Sequence, residues 1–242
     1  MISFKEKILQ IKKNQSSGSS QLLQEIINTL TTNKASDHDL LWSFSTLGEI
    51  DPSMRLIHHF LEELKPAIGY DFNNQIQEYI FRWENVNEKI VKNLLNSLPN
   101  RSLTILTHSH SGVVIEVIML MLKYGYSIEI IQTESHPGGE GFIQAKALHQ
   151  LGVAVTIIKD NTIIDHIGTV NCCFFGVDQY DEKSFVNKVG SNNIVEMADK
   201  ANVPVFVLGD TRKKVNKVKL DNLELFEIIP FLGNLRIITP KG

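Results

Sequence analysis

From Leu103 onward the chain alternates between two rhythms, and this alternation constrains the fold more than any other feature. "LTILTHS", "SIEIIQT", "AVTIIKD", "NCCFFGVD" and "PVFVLGD" are short runs rich in β-branched residues, each closing on a polar residue or a turn. Between several of them lie helical patterns, "GVVIEVIMLMLKYG", "FIQAKALHQLG" and "GSNNIVEMADKAN". Strands that are apolar throughout, rather than apolar at every second residue, are buried on both faces. Strands of that kind linked by helices make a parallel sheet with helices on either side. The pattern predicts a Rossmann-like open parallel sheet domain of α/β class over 100–242, with "LELFEIIP" and "LRIITPK" as added edge strands.

Residues 1–99 read differently, as an all-helical N-terminal domain. "ISFKEKILQIKK" sets Ile2, Phe4, Ile8 and Ile11 near one side, and a serine of "NQSSGSSQ" is placed to cap "QLLQEIINTL". "DPSMRLIHHFLEEL" is expected to begin with a capping Asp51 and Pro52 in its first turn. "DFNNQIQEYIFRWENVNEKIVKNLLNSL" predicts one long helix ending before Pro99.

Charge and cysteine usage exclude several classes of function. A formal net charge of −3 leaves no excess of Lys and Arg for binding nucleic acid by charge. The longest apolar run, 113–122, contains Glu116 and is too short to span a bilayer. No signal-peptide pattern opens the chain, so the expected location is cytoplasmic, without membrane contact. Cys172 and Cys173 are neighbours on a predicted strand and point to opposite faces, which makes them buried free thiols rather than a disulfide or a metal pair.

In an open α/β sheet, ligands bind beyond the carboxyl ends of the strands. Here those ends are "THSHSG", "TESHPGGEG", "KDN", "GVDQY" and "GDTRK", and the topology should bring them to one rim. Ser109, His110, Ser111 and Gly112 form a strand-to-helix turn whose amides suit a phosphate, although a serine there also serves as a plain N-cap. His108 and His110 lack a third ligand at a metal-binding spacing, so no metal is expected. "HPGGEG" satisfies no nucleotide motif. Asp178 ends a very apolar strand, a costly place for an idle carboxylate. Asn187 and Lys188 sit just before a predicted helix, and Arg212 and Lys213 at a strand end are phosphate-compatible.

The order of these segments carries a resemblance. "ILTHSHS", "TESHP-x3-G", "A-x2-L-x3-GV-x-VT", "G-x-D", "NKVGS" and "P-x-FV" resemble one superfamily in order and spacing over about 102–215. It joins the alpha, beta and delta subunits of translation initiation factor 2B with 5-methylthioribose-1-phosphate isomerase and ribose-1,5-bisphosphate isomerase. "SSGSSQLL" and "IDPSMRLI" look like its N-terminal motifs. The isomerases of the family resemble "THC-x-[ST]" and "GAD", with a cysteine and an aspartate that move protons between C1 and C2 of a sugar phosphate.

In this chain Ser109 stands at the cysteine position and Asp178 at the aspartate position. His136 replaces the arginine of "TESRP", and Ser17-Gly18 replaces an N-terminal "RG". A thiol titrates near about 8.5, whereas a serine hydroxyl needs a neighbouring base, for which His108 or His110 is a candidate. The resemblance implies a factor-2B-related protein, at least a homodimer and without a cofactor, that binds a phosphosugar or a nucleoside monophosphate. Isomerase activity is expected to be lost or reduced. Ser111, Gly112, Asn187 and Lys188 would hold the ligand, and Asp178 would face its hydroxyls. Two alternatives stand beside it: an active aldose–ketose isomerase using Asp178 with Ser109 or a histidine, and a non-catalytic assembly subunit.

Overall fold

The computed structural model describes residues 2–14, 17–33, 35–98, 100–220 and 223–241. The chain divides into two compact units, Met1–Asn85 and Val86–Gly242.

The first unit is helical: α1 Phe4–Lys13, α2 Ser19–Thr32, α3 Asp37–Leu47, α4 Arg55–Leu64 and α5 Phe72–Trp83. Ser3 and Glu6 form a reciprocal capping box that starts α1. The helices close over one apolar cluster that includes Ile8, Ile26, Leu47, Ile57, Phe60 and Tyr79.

Two helix starts differ from expectation because side chains are engaged elsewhere. Gly18, not a serine, caps α2, since the Ser17 hydroxyl accepts from Asn14 Nδ2 at 3.0 Å. Asp51 Oδ1 accepts from Ser53 N at 2.8 Å and closes a turn, so α4 starts only at Arg55, beyond Pro52. The long helix read over 71–98 is broken. α5 ends at Trp83, Asn85 is left-handed at φ 59°, and α6 Val86–Leu95 belongs to the second unit. Asparagine is among the few residues that enter this region at little strain.

In the second unit, α6 is followed by β1 Ser102–Thr107, α7 Gly112–Lys123, β2 Ser127–Thr133, α8 Glu140–Gln150 and β3 Ala154–Ile158. Then come α9 Ile163–His166, β4 Cys172–Phe175, β5 Gln179–Tyr180, β6 Ser184–Lys188, α10 Ser191–Lys200, β7 Val205–Leu208, β8 Phe226–Pro230 and β9 Leu235–Ile238. Among the described residues, the main sheet runs β3-β2-β1-β4-β7-β9, with every pairing parallel. The winding therefore reverses between β1 and β4, the place where open sheets of this kind bind ligands.

The tail divides between two sheets. "LRIITPK" supplies the edge strand β9, whereas "LELFEIIP" supplies β8 of a small antiparallel sheet, β5-β6-β8. Asn187 and Lys188 lie at the end of β6, opposite Glu227 and Phe226, just before α10. No helix among the described residues is long and apolar enough to cross a membrane.

Cys172 and Cys173 are buried, free and successive on β4. Burial pushes the Cys172 thiol up to about 12, and Cys173 is well above the ordinary thiol range. Tyr180 is pushed up to about 12 by burial, then by Asp210 and Glu182. These groups stay protonated in the fold while the unfolded chain releases their protons, so stability falls as pH rises from about 9 toward about 12. Lys213, lowered by burial, works in the opposite direction within the same range. Urea unfolding at pH 8 and pH 11 is expected to show a loss to which Cys172 contributes about 2 kcal/mol. Cys172→Ala should reduce that slope, and an unchanged slope would mean that the thiol is not the titrating group.

Candidate functional site

The turn after β1 is shaped by buried side chains beneath it. Ser109 is left-handed at φ 63°. Its N–H donates to Ser135 Oγ at 2.7 Å, and its carbonyl accepts from Gln132 Nε2 at 3.2 Å. Two residues on, Ser111 N donates to Gln144 Oε1 at 2.7 Å. Gln144 Nε2 in turn donates to Thr107 Oγ1 at 2.8 Å and Gln132 Oε1 at 2.9 Å. Both glutamines are fully buried, and a satisfied polar network of this kind fixes one backbone course. Ser111 caps α7, its hydroxyl accepting from Val114 N at 3.4 Å. The Gly112 and Val113 amides that follow meet no acceptor among the described residues.

His108 is a strut. Its ring is buried, with Nε2 2.9 Å from the Val189 carbonyl and Nδ1 2.6 Å from Thr133 Oγ1. These partners assign the proton to Nε2, which donates, and leave Nδ1 to accept from the hydroxyl. Burial holds its pKa below the usual imidazole range. His108 thus ties the end of β1 to β2 and to the turn between β6 and α10, with neither nitrogen free for a ligand. Gly190 sits against the ring: a Cβ there would lie 3.2 Å from His108 Nε2. His110 is half-buried, and its pKa is also lowered by burial, against the pull of Glu140.

The glycines of "HPGGEG" have a steric reason. A Cβ on Gly141 would fall 1.8 Å from the Thr133 carbonyl, so α8 approaches β2 closer than any side chain permits. The amides of Ser135 and His136 donate to the Asp160 carboxylate at 2.8 and 2.7 Å. Glu140, first residue of α8, accepts from Lys188 Nζ at 2.7 Å. The Lys188 side chain is 3% exposed and that of Glu140 29%. Glu140 Oε2, Asn187 Nδ2 and Ser191 Oγ are buried and meet no hydrogen-bond partner.

The loop after β4 closes the other side. A Cβ on Gly176 would fall 2.2 Å from Ser111 Oγ, so "G-x-D" needs its glycine to pass under the α7 cap. Asp178 is half-buried, and its N–H donates to the Val186 carbonyl of β6 at 3.1 Å. Lys213 Nζ donates to the Val177 carbonyl at 2.6 Å; its burial lowers its pKa while Asp178 and Asp210 oppose that effect. Arg212 is clamped on Asp210 at 2.5 Å. Neither cation of "GDTRK" reaches out as a phosphate donor.

The structure thus gathers the 109–112 turn, His110, the Gly176–Asp178 loop, Asn187 and Lys188 at one rim, with Glu140 among them. His108 lies beneath the rim, and the His136 side chain is 65% exposed, 3.4 Å from Glu134. Among the described residues no group of three or more His, Cys, Asp or Glu is placed to hold a metal ion. The sequence reading missed Gln132, Thr133, Ser135, Gln144 and Glu140. The polar ends of apolar elements were their only signal, and what each one contacts depends on strand register.

The chain matches the model of the initiation factor 2 subunit family, IF-2B, over residues 3–230. It is 27% identical over 187 residues to ribose 1,5-bisphosphate isomerase of Archaeoglobus fulgidus, a match spanning 76% of this chain and 57% of that protein. It is 31% identical over 124 residues to translation initiation factor eIF2B subunit alpha of Caenorhabditis elegans, spanning 51% of this chain and 41% of that one. Its fold superposes on the crystal structure of translation initiation factor eIF-2B from Pyrococcus horikoshii OT3 with a TM-score of 0.84 at 20% identity, covering 99% of this chain and 95% of that one. With a strand order that reverses at β1, this rim of polar turns and a match along nearly its whole length, the chain belongs to the initiation factor 2 subunit family.

Proposed function

We propose that the turn after β1 and the loops after β2, β4 and β6 form a pocket for a phosphorylated sugar or a nucleoside monophosphate. Isomerase activity of the family's kind is lost or reduced in this reading. One observation carries it: buried polar atoms on Glu140, Asn187 and Ser191 stand without hydrogen-bond partners, and Glu140 holds the buried Lys188. Each such atom costs about 1–3 kcal/mol in the free protein, a cost that a polyhydroxylated ligand removes. The open amides of Gly112 and Val113, at the positive end of α7, suit the phosphate. Asp178 faces the hydroxyls. The similarity to a ribose 1,5-bisphosphate isomerase supports the same class of ligand. In this reading the protein acts as a homodimer or larger assembly, in the cytoplasm.

The loss of turnover rests on Ser109, at the position where the resemblance places a thiol. A serine needs a base, and His108 has both nitrogens engaged. Ser109→Cys is therefore expected to raise aldose–ketose conversion of ribose 1,5-bisphosphate or 5-methylthioribose 1-phosphate by about 100-fold or more over the wild type, the range of a positioned proton-transfer group. A second reading, an active isomerase with Asp178 as base, is favoured by His110, which is half-buried beside Ser109 and has no hydrogen-bond partner among the described residues. Wild-type turnover that disappears in Ser109→Ala would establish that second reading and end the first.

A further inference from the structure

Lys188 is the buried cation of this rim, and in a pocket for an anion it would be the natural counter-charge. Its ammonium is already claimed. Glu140 Oε1 accepts from Nζ at 2.7 Å, and the Lys188 side chain is 3% exposed, so the pair is closed on the lysine side. The second oxygen, Glu140 Oε2, is buried and has no partner. Asn187 Nδ2 and Ser191 Oγ are also buried and unpartnered.

The neighbouring amides that might hold a phosphate at this end carry carboxylates instead. Glu227 Oε1 takes Asn192 N at the start of α10 at 2.6 Å, and Asp160 takes the Ser135 and His136 amides at 2.8 and 2.7 Å. This end of the rim is therefore neutral or negative, with one anionic oxygen waiting for a hydrogen-bond donor. A phosphate, largely a dianion at neutral pH, would sit against like charge. A sugar hydroxyl donates to Glu140 Oε2 without that repulsion.

We propose that Glu140 is the specificity-determining residue of this pocket: by holding Lys188 it converts an anion subsite into a hydroxyl subsite, so the protein takes a ligand with a single phosphate and excludes a bisphosphate. The proposal rests on the phosphosugar reading of the site. The single phosphate goes to the Gly112 and Val113 amides, and the unphosphorylated end goes to Glu140. Glu140→Gln removes the repelling charge and releases Lys188 to meet a second phosphate.

Calorimetric titration of the wild type and Glu140→Gln with ribose 5-phosphate and with ribose 1,5-bisphosphate tests this. The wild type is expected to bind ribose 5-phosphate at least about tenfold more tightly than the bisphosphate, and Glu140→Gln to shift that ratio toward the bisphosphate by about tenfold or more. A second substitution, Lys188→Gln on the Glu140→Gln background, should cancel the shift. A wild type that binds the bisphosphate as tightly as the monophosphate overturns the role of Glu140 and leaves the pocket standing. That comparison needs no variant to fold. If neither ligand binds the wild type or Glu140→Gln, the phosphosugar reading itself falls, and the proposal with it.

Discussion

Gly141→Ala is expected to destabilise the second unit by about 3 kcal/mol, the upper part of the range for an overpacked contact. The added methyl would lie 1.8 Å from the Thr133 carbonyl and 2.9 Å from that of Glu134, and both atoms are backbone. No side chain can rotate out of the way, so α8 must lift from β2. The Gly141 amide donates to the Glu134 carbonyl at 3.2 Å, and lifting the helix stretches that bond as well. Gly168→Ala is the control: it has nothing within 4 Å of its added Cβ and should change stability by less than about 0.5 kcal/mol. Urea unfolding of both variants checks the pair. A Gly141→Ala cost below about 1 kcal/mol would mean that the α8 start moves freely, and the Glu140–Lys188 geometry built on it would lose its footing.

His108→Ala is expected to cost about 2–4 kcal/mol, because it opens a space under Gly190 and leaves the Val189 carbonyl and the Thr133 hydroxyl without their partner. It should also weaken ligand binding by about tenfold or more, since the turn carrying Ser109 to Gly112 loses its tie to the end of β6. The pH dependence separates this strut from a group that binds the ligand by charge. Burial lowers the His108 pKa in the fold, so the unfolded chain takes up a proton first as pH falls through about 6.5. Protons bound by the unfolded state then exceed those bound by the fold, and stability drops with falling pH. Burial of His110 contributes in the same direction. His108→Ala should keep only the His110 part of that acid slope, measured by urea unfolding at pH 7.5 and 5.5. A slope equal to that of the wild type would show that His108 is not the buried neutral group.

Much of the second unit is legible in the sequence because its central strands are buried on both faces. "LTILT" and "CCFF" have little polar surface to disguise them, and the helices between the strands keep their period. What escaped depends on long-range choices. β8 reads like any edge strand, but its partner is β6, and the antiparallel sheet they share places Asn187 and Lys188 on a strand that the sequence reading did not identify. The break at Asn85 was hidden because "WENVNEK" keeps good helix formers on both sides of a single left-handed residue. At the rim, hydroxyls and histidines at strand ends mark the place, but pattern alone does not assign their roles. His108 and His110 look equivalent two residues apart, yet one ring faces inward to a carbonyl and a hydroxyl while the other stays half-exposed. Glu140 looked like a turn residue in a glycine-rich loop. Only the fold brings it to Lys188, 48 residues along the chain.

The central claim is that a phosphorylated small molecule seats at the switch point between β1 and β4. The most direct test is amide hydrogen exchange of the whole chain with and without ribose 5-phosphate at saturating concentration. Protection is expected in two separate stretches, 108–113 and 187–191, together with the 176–178 loop, and not along the β3 edge on the far side of the sheet. Binding that leaves all three stretches unprotected, or that protects another surface, would contradict the assignment of this rim as the ligand site.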